Sequence, residues 1–96
     1  MAEPKIFQML IGGAFCDAEG GAVIDSVNPA TGQFWAHVPA ASEADVDRAV
    51  RAADIAGRSG PWASMTPSAR GKCLHKLGDL LAEQSETLGR IETTDS

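Results

Sequence analysis

Apolar and polar positions first alternate in short runs, then switch to a helical period near residue 42. Met9-Leu10-Ile11 and Ala14-Phe15-Cys16 flank Gly12-Gly13, a pair that suits the primed turns whose twist matches a hairpin. Asp17 to Gly21 reads as a turn. Two further extended runs, Ala22 to Val27 and Gln33 to Val38, flank Asn28-Pro29-Ala30-Thr31-Gly32. Asparagine and proline start such a turn, and Gly32 supplies the positive φ that a returning strand often needs. The first third therefore predicts a β-meander, preceded by a loose tail over residues 1–5. From Ser42 onward, Val46, Ala49, Val50 and Ala53 recur at helical spacing and predict one apolar stripe. Ser42 and Asp45 form an acidic variant of the capping box. Gly57 and Ser59-Gly60-Pro61 end that helix, and Trp62 reads as a plug between elements. Thr66-Pro67 starts the next helix with an N-cap and a proline at the first helical position. Cys73, Leu74, Leu77, Leu80 and Leu81 make its bulky face, which predicts core, and Gly78 marks a close crossing. Ser85 caps a third segment that runs through Leu88 and Ile91 to Thr93.

Composition changes the picture of that core. Sixteen of the 96 residues are alanine, while Leu, Ile, Val and Phe together number 19. This sits at about the 20% level below which a self-sufficient core fails. The chain is thinly cored, as expected of a piece that packs against something else. Its net charge of −5, with eight Lys and Arg in no cluster, argues against nucleic acid. Nothing resembles a signal peptide or an apolar membrane span. Two cysteines, Cys16 and Cys73, match no metal or disulfide pattern. A cytoplasmic protein with reduced thiols is the expectation.

Candidate chemistry is sparse. His37 lies in a strand, and His75 lies on a polar helix side with Asp79 as neighbour. Neither has a partner at metal spacing. Gly12-Gly13 and Gly20-Gly21 precede no helix start, so neither is a phosphate loop. The residues alone describe an α/β piece without a visible active site.

As a whole the chain resembles the N-terminal part of the aldehyde dehydrogenase superfamily. The resemblance runs through Leu10-Ile11-Gly12-Gly13-Ala14-Phe15, Val27-Asn28-Pro29-Ala30-Thr31-Gly32 and Val38-Pro39-Ala40-Ala41. It continues through Asp45-Val46-Asp47-Arg48-Ala49-Val50, Gly60-Pro61-Trp62, Pro67-Ser68-Ala69-Arg70, Leu77-Gly78-Asp79-Leu80-Leu81 and Glu92-Thr93-Thr94-Asp95. Gly12, Cys16, Gly57-Arg58-Ser59 and Gly78 depart from the family's usual residues and bear on subfamily rather than membership.

The resemblance implies the N-terminal β-hairpins and first helices of a Rossmann-like cofactor domain. Residues 1–9 would be a tail, and residues 10–96 a cofactor-binding domain incomplete at its C-terminal side. It implies oxidation of an aldehyde to a carboxylic acid with NAD or NADP, by an enzyme that is a homodimer or homotetramer when full-length. A cysteine nucleophile, hydride transfer to nicotinamide and a glutamate-activated water would carry that chemistry, and their segments all lie beyond residue 96. No catalytic or cofactor-binding residue is therefore expected here. One site is implied in part, a potassium or sodium ion held by the backbone carbonyls of Ser26 and Val27 and by Asp95. Hard cations take oxygen ligands, and a carboxylate adds charge. The alternative role for Asp95 is to cap the next segment. Asp95-Ser96 itself reads as a cut end. The rival from another class is a non-catalytic stand-alone binding or regulatory module derived from the same fold.

Overall fold

The computed structural model describes residues 3–96. Strands β1 (Lys5–Ile6), β2 (Met9–Ile11), β3 (Ala14–Cys16), β4 (Val23–Val27) and β5 (Phe34–Pro39) come first. Helices α1 (Glu43–Arg58), α2 (Pro61–Ser64), α3 (Pro67–Glu83) and α4 (Ser85–Asp95) follow. This is the mixed α/β architecture that the change of period predicts.

β2 and β3 form the expected hairpin, with Leu10 opposite Phe15. Gly12 and Gly13 take φ of 60° and 80°, the pair of positive values that a type I′ turn requires. The second sheet has the order β1-β5-β4. β4 and β5 are antiparallel around the Asn28 turn, where the Asn28 carbonyl accepts from the Gly32 N–H at 2.8 Å. The Asn28 side-chain oxygen also accepts from the Ala30 N–H at 2.9 Å, and Gly32 has φ 71°. The turn is built as its sequence dictates.

The expected loose tail over residues 1–5 ends earlier than predicted, and its first two residues lie outside the described ones. Lys5 and Ile6 pair in parallel with Ala36 and His37, so β5 is the central strand of its sheet.

α1 shows the complete reciprocal capping box between Ser42 and Asp45. Of the predicted stripe Val46, Ala49, Val50 and Ala53, only Ala49 turns inward. Val46 and Val50 stay 53% and 61% exposed, while Asp45 is buried and Ala49 and Ala52 are half-buried. Small side chains let the hairpin come close, and a Cβ on Gly12 would stand 4.0 Å from that of Ala52. Gly57 lies inside α1 rather than ending it. Trp62 belongs to the one-turn helix α2. The Arg70 guanidinium lies 5.5 Å from the Trp62 ring centre, and its Nε donates to the Trp62 carbonyl at 3.0 Å.

α3 begins on Thr66, whose hydroxyl accepts from the Ala69 N–H at 3.2 Å. Its leucine face is open: Leu74, Leu77, Leu80 and Leu81 are all about half exposed, and Cys73 is exposed rather than core. Among the described residues no other element comes within 4 Å of a Cβ on Gly78, so none of them makes a close crossing there. Ser85 is the first residue of α4 and makes no side-chain cap.

Among the described residues only Ala18 and Ala36 are buried apolar residues. The radius of gyration is 16.8 Å, against about 12.5 Å for a compact chain of this length. The accessible surface is 7464 Å², against about 5,200 Å² for a compact domain of this mass. Secondary structure is complete here, and the core that would hold it is not.

Candidate cation site

Asp95 ends α4, and Ser26 sits near the end of β4, 69 residues earlier. The structure brings them together: the Ser26 hydroxyl donates to Asp95 Oδ1. A third residue joins them. Trp35 Nε1 donates to the same oxygen at 3.2 Å. Val27, the remaining member of the expected set, follows Ser26 directly on β4 and is exposed.

Trp35 reaches this point because of a β-bulge. Ser26 pairs with Ala36 and Val27 with Phe34, so Trp35 is the extra residue on β5. A bulge interrupts the ladder and re-aims a side chain. The indole is half-buried and meets Phe7 edge-on, with ring centres 5.9 Å apart at 74°. A cleft of about 220 Å³ adjoins it, walled by Lys5, Trp35, Thr87, Arg90, Ile91 and Thr94. The Arg90 guanidinium is engaged by Glu86 one turn back along α4.

The donor set fits a hard monovalent cation. Asp95 is exposed, and among the described residues no donor reaches its Oδ2. The last turn of α4 carries no basic side chain. No group of three His, Cys, Asp or Glu gathers among the described residues. A cation here would rest on one carboxylate and on carbonyl oxygens, a donor set that suits hard ions rather than zinc or copper. Of the expected set, Ser26 and Asp95 are in contact through the serine hydroxyl, and Val27 is the next residue along β4. Trp35 is the member that sequence reasoning missed, since no local motif marks a bulge.

A second carboxylate forms a contrasting site. Asp45 is 1% exposed. Its Oδ2 accepts from the Ser42 and Glu19 backbone N–H groups, each at 2.9 Å, and its Oδ1 from Arg48 at 2.8 Å. These donors hold its carboxyl well below the ordinary aspartate value of 3.8; the Ser42 N–H acts most, then the Glu19 N–H, then Arg48, against the opposing effect of burial. Both oxygens are engaged by donors, so Asp45 is a structural fastening between the β3–β4 connection and α1.

The histidines form no catalytic group. His37 Nδ1 lies 2.6 Å from Asp25 Oδ1 on the neighbouring strand, but no partner meets it in hydrogen-bonding geometry. His75 and Asp79 are both exposed on α3. No helix among the described residues is long and apolar enough to cross a membrane.

A sequence model of the aldehyde dehydrogenase family matches residues 15–96. The (Z)-2-((N-methylformamido)methylene)-5-hydroxybutyrolactone dehydrogenase of Acinetobacter baylyi is 47% identical over 90 residues, 94% of this chain and 18% of the relative. The cytosolic 10-formyltetrahydrofolate dehydrogenase of Xenopus tropicalis is 45% identical over 93% of this chain and 10% of its own length. Among solved structures, the NAD+ complex of aldehyde dehydrogenase from Bacillus cereus superposes with a TM-score of 0.92 at 43% identity. It covers 95% of this chain, which spans 18% of that enzyme. The Mycobacterium tuberculosis aldehyde dehydrogenase with NAD+ gives 0.81 at 35% identity, over 92% of this chain and 18% of its own. The chain thus spans less than a fifth of the length of these relatives, and the same strands and helices recur in them in the same order. With the family model matching residues 15–96 and the superposition covering 95% of the chain at 43% identity, this chain belongs to the aldehyde dehydrogenase family.

Proposed function

We propose that this chain is the N-terminal segment of an NAD(P)-dependent aldehyde dehydrogenase that oxidises an aldehyde to a carboxylic acid. The superposition on the Bacillus cereus enzyme over 95% of the chain carries this reading. NAD is favoured over NADP because the Bacillus cereus and Mycobacterium tuberculosis structures are NAD+ complexes. In this reading residues 10–96 are part of the cofactor-binding domain, and the full-length enzyme is a cytoplasmic homodimer or homotetramer. The open leucine face of α3 is covered by later parts of the same polypeptide, since relatives are more than five times longer.

The reading assigns no dinucleotide pocket to these residues. Neither glycine pair opens a helix: Gly12 and Gly13 make a hairpin turn, and Gly20 and Gly21 end a 3-10 turn. No step of the oxidation is assigned to them. The chain's contribution is to build the sheet edge and helices that the catalytic parts pack against. Purified full-length protein is expected to form NADH from NAD and an aldehyde, while the 96-residue chain forms none. NADH formation by the 96-residue chain alone would overturn this division of labour.

The cation reading is part of the proposal. Potassium or sodium is held by the backbone carbonyls of Ser26 and Val27 and by the Asp95 carboxylate. The fit of the donor set supports it, together with the free second oxygen of Asp95. Replacing potassium by tetramethylammonium at constant ionic strength should lower the Tm of the full-length protein. Asp95→Asn should remove that difference, and an equal Tm in both salts would refute the site.

A further inference from the structure

We propose that Trp35 is a positioning residue for Asp95: its indole N–H and the Ser26 hydroxyl hold one carboxylate oxygen and leave the other for the cation. The proposal rests on the cation reading above and adds a residue that lies outside the expected ligand set.

Four observations carry it. The bulge makes Trp35 the unpaired extra residue of β5, which turns its side chain independently of the ladder. Nε1 donates to Asp95 Oδ1 at 3.2 Å, so one oxygen has both Ser26 and Trp35 as donors. Among the described residues Oδ2 has none. The indole plane is itself fixed, because Phe7 meets it edge-on at 5.9 Å. Phe7 is in turn held by its N–H donating to the His37 carbonyl at 3.0 Å, immediately after β1.

The physical consequence follows from charge and geometry. A donor to an ionised acceptor makes a stronger hydrogen bond than one to a neutral acceptor, and it restricts rotation of the carboxylate. A carboxylate fixed through one oxygen presents the other with less ordering still to be imposed when the ion binds. Groups that orient a metal ligand in this way are worth about 10- to 100-fold in metal affinity. An indole that served packing alone would contribute equally with and without the ion.

The test is a potassium titration of the full-length protein, with tetramethylammonium chloride holding ionic strength constant and Tm as the readout. Trp35→Phe keeps a ring against Phe7 and removes the N–H together with the pyrrole ring. It should raise the potassium midpoint about tenfold while leaving the Tm in tetramethylammonium within about 2 °C. Phe7→Leu keeps the N–H and removes its edge-on support, and should raise the midpoint by a smaller factor of about three. An unchanged midpoint in both variants, or an equal Tm loss in both salts, overturns the role of Trp35. Asp95→Asn separates the two ideas: it should abolish the potassium increment. If the wild type shows no increment, or Asp95→Asn retains it, the cation reading fails and the role of Trp35 with it. If Asp95→Asn abolishes the increment while both other variants keep the wild-type midpoint, the cation stands and Trp35 falls.

Discussion

The region around Asp45 and the region around α3 and α4 are made of similar secondary structure and are held in opposite ways. At Asp45 a carboxylate is enclosed, and three donors from two parts of the chain fill its oxygens. α3 presents a row of half-exposed leucines and α4 adds Leu88, and the end of α4 is tied to the sheet through Asp95, with Ser26 and Trp35 as its donors. A saturated carboxylate can only fasten structure, whereas one with a spare oxygen can also take a ligand. The difference also separates what this segment completes by itself from what it leaves to the rest of the protein.

The largest expected effect tests the open side. In the full-length protein Leu77→Asp should cost about 4 kcal/mol or abolish soluble expression, because a covered leucine face cannot accept an unpaired charge. A change within about 0.5 kcal/mol in denaturant unfolding would place that face in solvent and remove the contrast. Next comes the closed side. Asp45→Ala leaves the Glu19 N–H, the Ser42 N–H and Arg48 without their acceptor. The full-length protein should lose about 4 °C or more of Tm, as for a lost cap plus further hydrogen bonds.

Acid titration sharpens the same point. Asp45 has a folded value depressed below 3.8, so the unfolded chain takes up its proton first as pH falls. Its stabilisation is fully present above about pH 5 and is lost progressively as pH drops below about 4 toward the folded value. Asp45→Asn should flatten that part of the stability curve, and an unchanged acid limb would contradict the fastening role. The smallest effect concerns the turn between β4 and β5. Gly32 has φ 71° with open space around a Cβ, so Gly32→Ala should cost about 1 kcal/mol through backbone strain alone. A neutral result in urea unfolding would mean that the turn relaxes.

What the sequence disclosed depended on distance along the chain. The capping box of Ser42 and Asp45 was legible because its partners are three residues apart. That Asp45 also receives the Glu19 N–H was not, because those residues are 26 apart. The hairpin at Gly12-Gly13 and the turn at Asn28 were legible from their own turn chemistry. The packed side of α1 was legible only at Ala49: periodicity also put Val46, Val50 and Ala53 on it, while the close approach of Gly12 falls at Ala52. The leucines of α3 declared an apolar face correctly but could not declare that nothing among the described residues covers it. At the candidate site, the resemblance supplied Ser26, Val27 and Asp95. Trp35 stayed hidden, because a bulge follows from the pairing of two strands and leaves no mark in either one.

The central claim is that this segment carries complete elements without a complete core, and the thermal melt of the isolated 96-residue chain tests it most directly. The account predicts a broad, non-cooperative loss of helical signal with binding of a hydrophobic dye before heating, or association through the exposed leucines. A sharp, reversible, two-state transition of a monomer that binds no dye would contradict it.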